Sequence, residues 1–173
     1  MKEYYMTELI HDNSQEYLFA NILKKLDMAP PENHHDHSKY HLVFYLLQQH
    51  GLSMEYGYRW LGEPFSPELE YNLKHTSSLI YKTAHKMIIK NEHEVINKIK
   101  KFKENLLDEY VDDLLKLRIL TFLSFIDHSA FSGKGSLAEL RNRLFDVRPA
   151  LKDKANIDKI IDIAFNDMRA HLH

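Results

Sequence analysis

Residues 56–73, Tyr56 to Leu73, read YGYRWLGEPFSPELEYNL, and their reading decides the fold. Met54, Tyr56, Tyr58 and Trp60 alternate with Glu55, Gly57 and Arg59. A period of two suits a strand with one face packed inward, so the alternation predicts a strand over Ser53 to Trp60. Gly62 and Pro64 then turn the chain. Ser66 offers a hydroxyl to the unpaired amides of a helix start. Pro67 stands at the first helical position, where an N–H would have no partner anyway, and Glu68 puts negative charge in the first turn. A strand-like piece that hands over through a corner to a capped helix is the sort of element from which winged-helix folds are built.

The flanks are helical. On the N-terminal side, Asn13 and Glu16 have a capping-box spacing, and Leu18, Phe19, Ile22, Leu23 and Leu26 recur on one face, which predicts a helix over Ser14 to Asp27 that Pro30 and Pro31 stop. A second helix is expected from Asp36 or Ser38 to His50, with Gly51 as its C-terminal cap.

On the C-terminal side no Gly or Pro occurs between Pro67 and Gly133, so the segment reads as helix. The first part carries Leu69, Leu73, Thr76, Leu79 and Ile80 inward. Helical pattern continues from Tyr81 to about Lys103, with a kink near Asn91. A long helix is expected from Glu104 to about Ile126, apolar all round in its second half and therefore central. Ser132 to Gly135 is a connector, Ser136 and Glu139 form a second capping-box pair, and after Pro149 a stripe of Ile157, Ile160, Ile161, Ala164, Phe165 and Met168 marks a last helix.

Composition bounds the function. The chain has 173 residues, 44% hydrophobic and 28% charged, which suits a single globular domain of 1–173. The expected fold is mainly α, with six or seven helices, one short strand or β-hairpin, a winged-helix-like half over 1–80 and a helical half over 81–173. Without cysteine, disulfides and thiolate zinc sites are excluded, and a cytoplasmic setting fits. The N-terminus MKEYYMTELIHDN has no apolar core of a signal peptide, and no apolar run approaches the ~20 residues of a membrane span. The net charge of -2 gives no bulk attraction to nucleic acid or membrane.

The order of segments carries a resemblance. HLVFYLLQQHGL (41–52) precedes YGYRWLGEPFSPELEYNLKHTSSLI (56–80); then come LKLRILTFLSFI (115–126), SLAELRNRLFDVRPAL (136–151) and NIDKIIDIAFNDM (156–168). This resembles the YwgA-like uncharacterised prokaryotic proteins and, more distantly, the Panacea/SocA-like domain of antitoxins and proteolysis adaptors. A family Tyr-Gly-Pro-Tyr-Ser becomes Leu61-Gly62-Glu63-Pro64-Phe65-Ser66, with one residue inserted, and a family Lys-Pro becomes Arg148-Pro149. The resemblance covers roughly 38–170. It implies a helical, winged-helix-like fold and a regulatory or antitoxin role rather than an enzyme.

Candidate chemistry lies in three places. His37 and His41 fall at i and i+4 of a helix, a spacing that lets two imidazoles reach one divalent metal ion, with His34, His35 or Asp36 completing the set; a solvated helix start that takes up metal only adventitiously has the same pattern. The string His35-Asp36-His37-Ser38-Lys39 also resembles the His-Asp-x-Gly-Lys core of all-helical HD phosphohydrolases, for which His11 and one of Asp108, Asp112 or Asp127 would complete a site, although the Gly is missing and Pro30 and Pro31 precede it. Residues 74–103 hold eight lysines against two acids, and Lys82, Lys86 and Lys90 form a stripe along one helix edge that could lie along phosphates, although a solvated face beside the acids at 104–113 is the reading that the chain's overall charge favours. The expected function is non-catalytic, an antitoxin- or adaptor-like protein that binds another macromolecule through Lys82, Lys86 and Lys90, with Arg59 and Glu63 on the wing turn. A protein partner is favoured over nucleic acid, membrane is excluded, homo-oligomerisation stays open and no cofactor is required. The competing expectation is a metal-dependent HD-type phosphohydrolase.

Overall fold

The apolar run from Leu114 to Phe131 folds as a helix with almost no solvent face through its middle, and much of the chain is laid around it: Leu117, Ile119, Leu120, Phe122, Leu123 and Ile126 are all buried. The computed structural model describes residues 14–33, 36–54, 56–76, 78–84 and 92–172. Among these the chain forms α1 (Ser14–Lys25), α2 (His37–Gln49), β1 (Arg59–Trp60), β2 (Pro64–Phe65), α3 (Pro67–His75), α4 (Ser78–Thr83), α5 (Glu92–Phe102), α6 (Leu114–Phe131), α7 (Leu137–Val147) and α8 (Ile157–His171). The fold is mainly α, with one antiparallel hairpin in which Arg59 faces Phe65 and Trp60 faces Pro64. Helices α2, α7 and α8 and strand β2 pack on α6, while α1 packs on α3, α4 and α5. One continuous core joins both halves, from Phe19 and Leu23 through Phe44 to Ile161 and Met168.

The caps follow the chemistry of the sequence. Ser66 lies in the extended region and its hydroxyl accepts the Leu69 amide at 3.3 Å, with Pro67 opening α3. Ser136 and Glu139 close a reciprocal capping box at α7. Gly51, at φ +102°, ends α2 where a side chain would be strained. Asn13, the expected cap of α1, lies outside the described residues.

Three expectations differ from the structure. The strand expected over Ser53 to Trp60 is reduced to Arg59–Trp60. The alternation nevertheless orients the side chains, since Met54, Tyr56, Tyr58 and Trp60 pack on the core while Gly57 and Arg59 are exposed. Second, α3 stops at His75 instead of running past Ile80. The Thr76 amide and hydroxyl both donate to the Asn72 carbonyl, at 2.9 and 2.7 Å, and Thr76 leaves helical geometry at ψ 97°. A separate helix begins at Ser78, and in it Leu79 is 68% exposed rather than inward.

Third, the helix expected from Glu104 to Ile126 is two. Asp113 is extended and its carboxylate accepts the Lys116 amide at 3.1 Å, so it starts α6 as an N-cap. Residues before it prolong α5 through a π-helical turn, Lys103–Leu107, and a short α turn, Asp108–Tyr110. The wider turn brings Leu106, Leu107 and Tyr110 into the core together. The kink expected near Asn91 lies outside the described residues. No helix among the described residues is long and apolar enough to cross a membrane.

Candidate functional site

Helix spacing and the capped start of α3 together build a polar clasp. His37 and His41 leave the same face of α2 and both reach Glu70 on α3: His37 Nδ1 lies 3.0 Å and His41 Nε2 3.1 Å from Glu70 Oε2, and Lys74 Nζ sits 3.1 Å from Oε1. His41 is buried and stacks on Phe65, ring centres 4.6 Å apart. The Ser66 amide donates to His41 Nδ1 at 3.3 Å, which places the proton of the neutral ring on Nε2, aimed at Glu70. Burial pulls the His41 pKa below 6.5 in spite of Glu70. Glu70 goes the other way: burial raises its pKa, but hydrogen bonds from His41, Lys74 and His37 outweigh this and hold it at about 2.

The two histidines nominated as metal ligands therefore converge on a carboxylate of the next helix. Asp36 is exposed at the start of α2 and makes no side-chain cap bond. His34 and His35 lie outside the described residues. Among those described, no group of three or more His, Cys, Asp or Glu side chains is arranged to hold a metal ion. The clasp ties α2 to α3 through a fixed carboxylate.

A second constellation stands beside the hairpin turn. A groove of about 520 Å³ is lined by Glu63 of the turn, by Leu115, Arg118, Ile119 and Phe122 of α6, and by Arg148, Ala150, Leu151 and Lys154 after α7. Three cations thus face one carboxylate over an apolar floor. Glu63 Oε2 approaches Arg118 Nε at 3.6 Å, and Arg118 Nη2 also donates to Ser38 Oγ at 3.4 Å. Arg148 lies against two rings, its guanidinium carbon 5.4 Å from the Phe122 centre and 6.0 Å from that of Trp60, and Trp60 meets Phe122 edge-on at 5.1 Å. Its Nε is buried and has no hydrogen-bond partner among the described residues. Among the described residues Arg148 and Lys154 have no ion-pair partner. Gly62 leaves room for the guanidinium: a Cβ there would stand 3.3 Å from Arg148 Nη2, and φ is +81°.

The remaining nominated residues separate. Arg59 is exposed on β1, 6.0 Å over the Phe65 ring. Lys82 is exposed on α4, where its carbonyl accepts from Lys24 Nζ at 3.2 Å. Lys86 and Lys90 lie outside the described residues. Of the nominated residues that are described, only Glu63 lines the groove. Sequence reasoning missed Arg118, Arg148 and Lys154. The available signals were Arg118 and Phe122 at i, i+4 on a largely apolar helix, and an arginine directly before the Pro149 corner.

Of the residues named for a phosphohydrolase, His11 and His35 are outside the described set. Asp108 pairs with Lys103 at 3.0 Å, and Asp127 is held by Arg169. Comparison of the chain with protein-family models, with curated proteins and with solved structures gives no match.

Proposed function

We propose that this chain is a non-catalytic interaction protein, of the regulatory, antitoxin- or adaptor-like kind, that binds another macromolecule through the hairpin turn and the groove beside it. The observation that carries the reading is the groove itself: cationic walls, an apolar floor and a tight turn at its rim, the mixture that suits a contact patch with aromatic and Arg anchors. The hairpin tip adds Leu61, 58% exposed. The polar clasp is fully used in joining two helices, which supports a structural role for it rather than a catalytic one. On this reading the hairpin between α2 and α3 serves as the wing of a winged-helix-like half, and a protein partner is favoured because the chain as a whole carries a net charge of -2.

The test pairs two measurements. A photo-crosslinking residue at Leu61, compared with one at the exposed Lys159, should give a discrete crosslinked species in the native cell only from position 61. An electrophoretic mobility shift at graded salt should show no complex with DNA or RNA at micromolar protein. Equal crosslinking from both positions, or none, refutes the reading; a shift that weakens steeply with salt moves the partner class to nucleic acid.

A further inference from the structure

We infer that the groove receives an acidic side chain of a protein partner, flanked by an apolar one, and that Glu63 occupies the carboxylate position until the partner arrives. The inference rests on the interaction-protein reading and specifies the chemistry of its ligand. Arg118, Arg148 and Lys154 line a space whose single acid among the described residues is Glu63. The Glu63 carboxylate sits 3.6 Å from Arg118 Nε, longer than a good charge-assisted hydrogen bond, so it screens Arg118 without saturating it. Arg118 is further steadied by Ser38, and Arg148 by its two rings, so both guanidiniums are held in place before a ligand comes.

Held guanidiniums suit a planar carboxylate, which they can grip with two parallel N–H donors. Leu115, Ile119, Phe122 and Leu151 form the floor, and a phosphodiester backbone offers nothing apolar to cover them. Glu63 at the rim would repel the repeating charge of a nucleic acid, while a single incoming carboxylate need only displace it. Glu63 is 26% exposed on its side chain and belongs to a tight turn, where it can swing outward without breaking the hairpin pairing of Trp60 with Pro64. Exchange of one carboxylate for another keeps the charge of the groove constant, so occupation adds no new uncompensated charge.

The experiment uses the full chain and an array of short peptides of apolar–acidic–apolar sequence, each beside its amide counterpart with Asn for Asp or Gln for Glu. Retained peptides are then titrated into isotope-labelled protein, with the arginine side-chain Nε–H signals as the readout. Acidic peptides should be retained and amide counterparts lost, with saturable shifts at Arg118 and Arg148. Glu63→Gln should tighten binding roughly three- to tenfold by removing the competitor, and Arg118→Gln or Lys154→Gln should weaken it by about tenfold or more. All three variants leave Arg148 itself unchanged between its two rings, so their effects do not depend on a refolded core. Equal retention of acidic and amide peptides, retention of neither, or a Glu63→Gln variant that binds more weakly would overturn the inference. Stronger shifts with inorganic phosphate or a DNA duplex than with any peptide would overturn it as well. If crosslinking from Leu61 succeeds while the peptide test fails, only the carboxylate assignment falls; if crosslinking fails too, the interaction-protein reading falls with it.

Discussion

Arg169 on α8 closes on Asp127 of α6 through two N–H···O bonds, Nη1 to Oδ2 at 2.6 Å and Nη2 to Oδ1 at 3.2 Å. The same guanidinium donates to the carbonyl oxygens of Gly133, at 3.0 Å, and of Gly135. Asp127 Oδ1 in turn accepts the Gly135 amide at 2.8 Å. One fork therefore orders the connector between α6 and α7 and holds the last helix to the central one. Asp127 is nearly buried, so removal of its partner leaves a charge with nowhere to go. Arg169→Ala should destabilise the fold by about 2–4 kcal/mol in urea denaturation, and Arg169→Lys should recover only part, since an ammonium lacks the two-pronged geometry.

Gly135 has no freedom to change. A Cβ there would stand 2.9 Å from Leu140 Cδ2 and 3.0 Å from both Asp127 Oδ1 and Phe131 Cγ. Gly135→Ala should cost about 1–3 kcal/mol, because neither the ring nor the clamped carboxylate can withdraw easily. Gly57 has open space and an ordinary φ, so Gly57→Ala should change stability by less than about 1 kcal/mol, with a favourable sign expected from the stiffer unfolded chain. Thermal melts of the two variants make the comparison.

Acid should loosen the α2–α3 clasp in two stages. The folded-state pKa of His41 lies below 6.5, so the unfolded chain binds the extra proton more readily and stability falls as pH drops through about 6.5. Glu70, at about 2 when folded against 4.5 unfolded, contributes stability that is present above pH 4.5 and is lost as pH falls toward 2. With partial solvent screening the second loss should be about 1–2 kcal/mol. Glu70→Gln should flatten the profile between pH 4.5 and 2, measured as the urea midpoint at each pH. A variant whose profile follows that of the unmodified chain would show that Glu70 is not the titrating group.

Two caps share one chemistry and differ in reach. Asp113→Ala should weaken the start of the central helix by about 1 kcal/mol, and Ser66→Ala should cost a similar amount or more. The Ser66 position is fully buried, and the residue supports both the Leu69 amide and, through its own backbone, His41. Chemical denaturation of each single variant and of the pair should give additive effects, because the two caps have no partner in common.

Much of this fold was legible where local chemistry decides it. Ser66 with Pro67, Ser136 with Glu139, and Gly51 each act within one turn of chain, and a reader of the sequence sees all their partners. The errors came where a side chain had two competing uses. Thr76 reads as one more inward residue of a helix, yet its hydroxyl bonds the Asn72 carbonyl and the helix ends there. Asp113 reads as surface charge among other acids, yet it caps α6. The groove was hidden for a different reason. Glu63, Arg118, Arg148 and Lys154 are scattered over more than half the chain, and only the packing of the hairpin and the end of α7 against α6 gathers them. The histidines were noticed for their spacing, but Glu70 lies about thirty positions later and no pattern in the sequence links it to them.

Trp60 is the sole tryptophan of the chain, and its indole shares Arg148 with the groove. A cation near an excited indole shifts its emission, so any occupant that draws the guanidinium away changes the colour and intensity of the light the protein gives off. Filling of the groove can thus be followed by intrinsic fluorescence in the unlabelled protein, with no dye attached and no residue replaced.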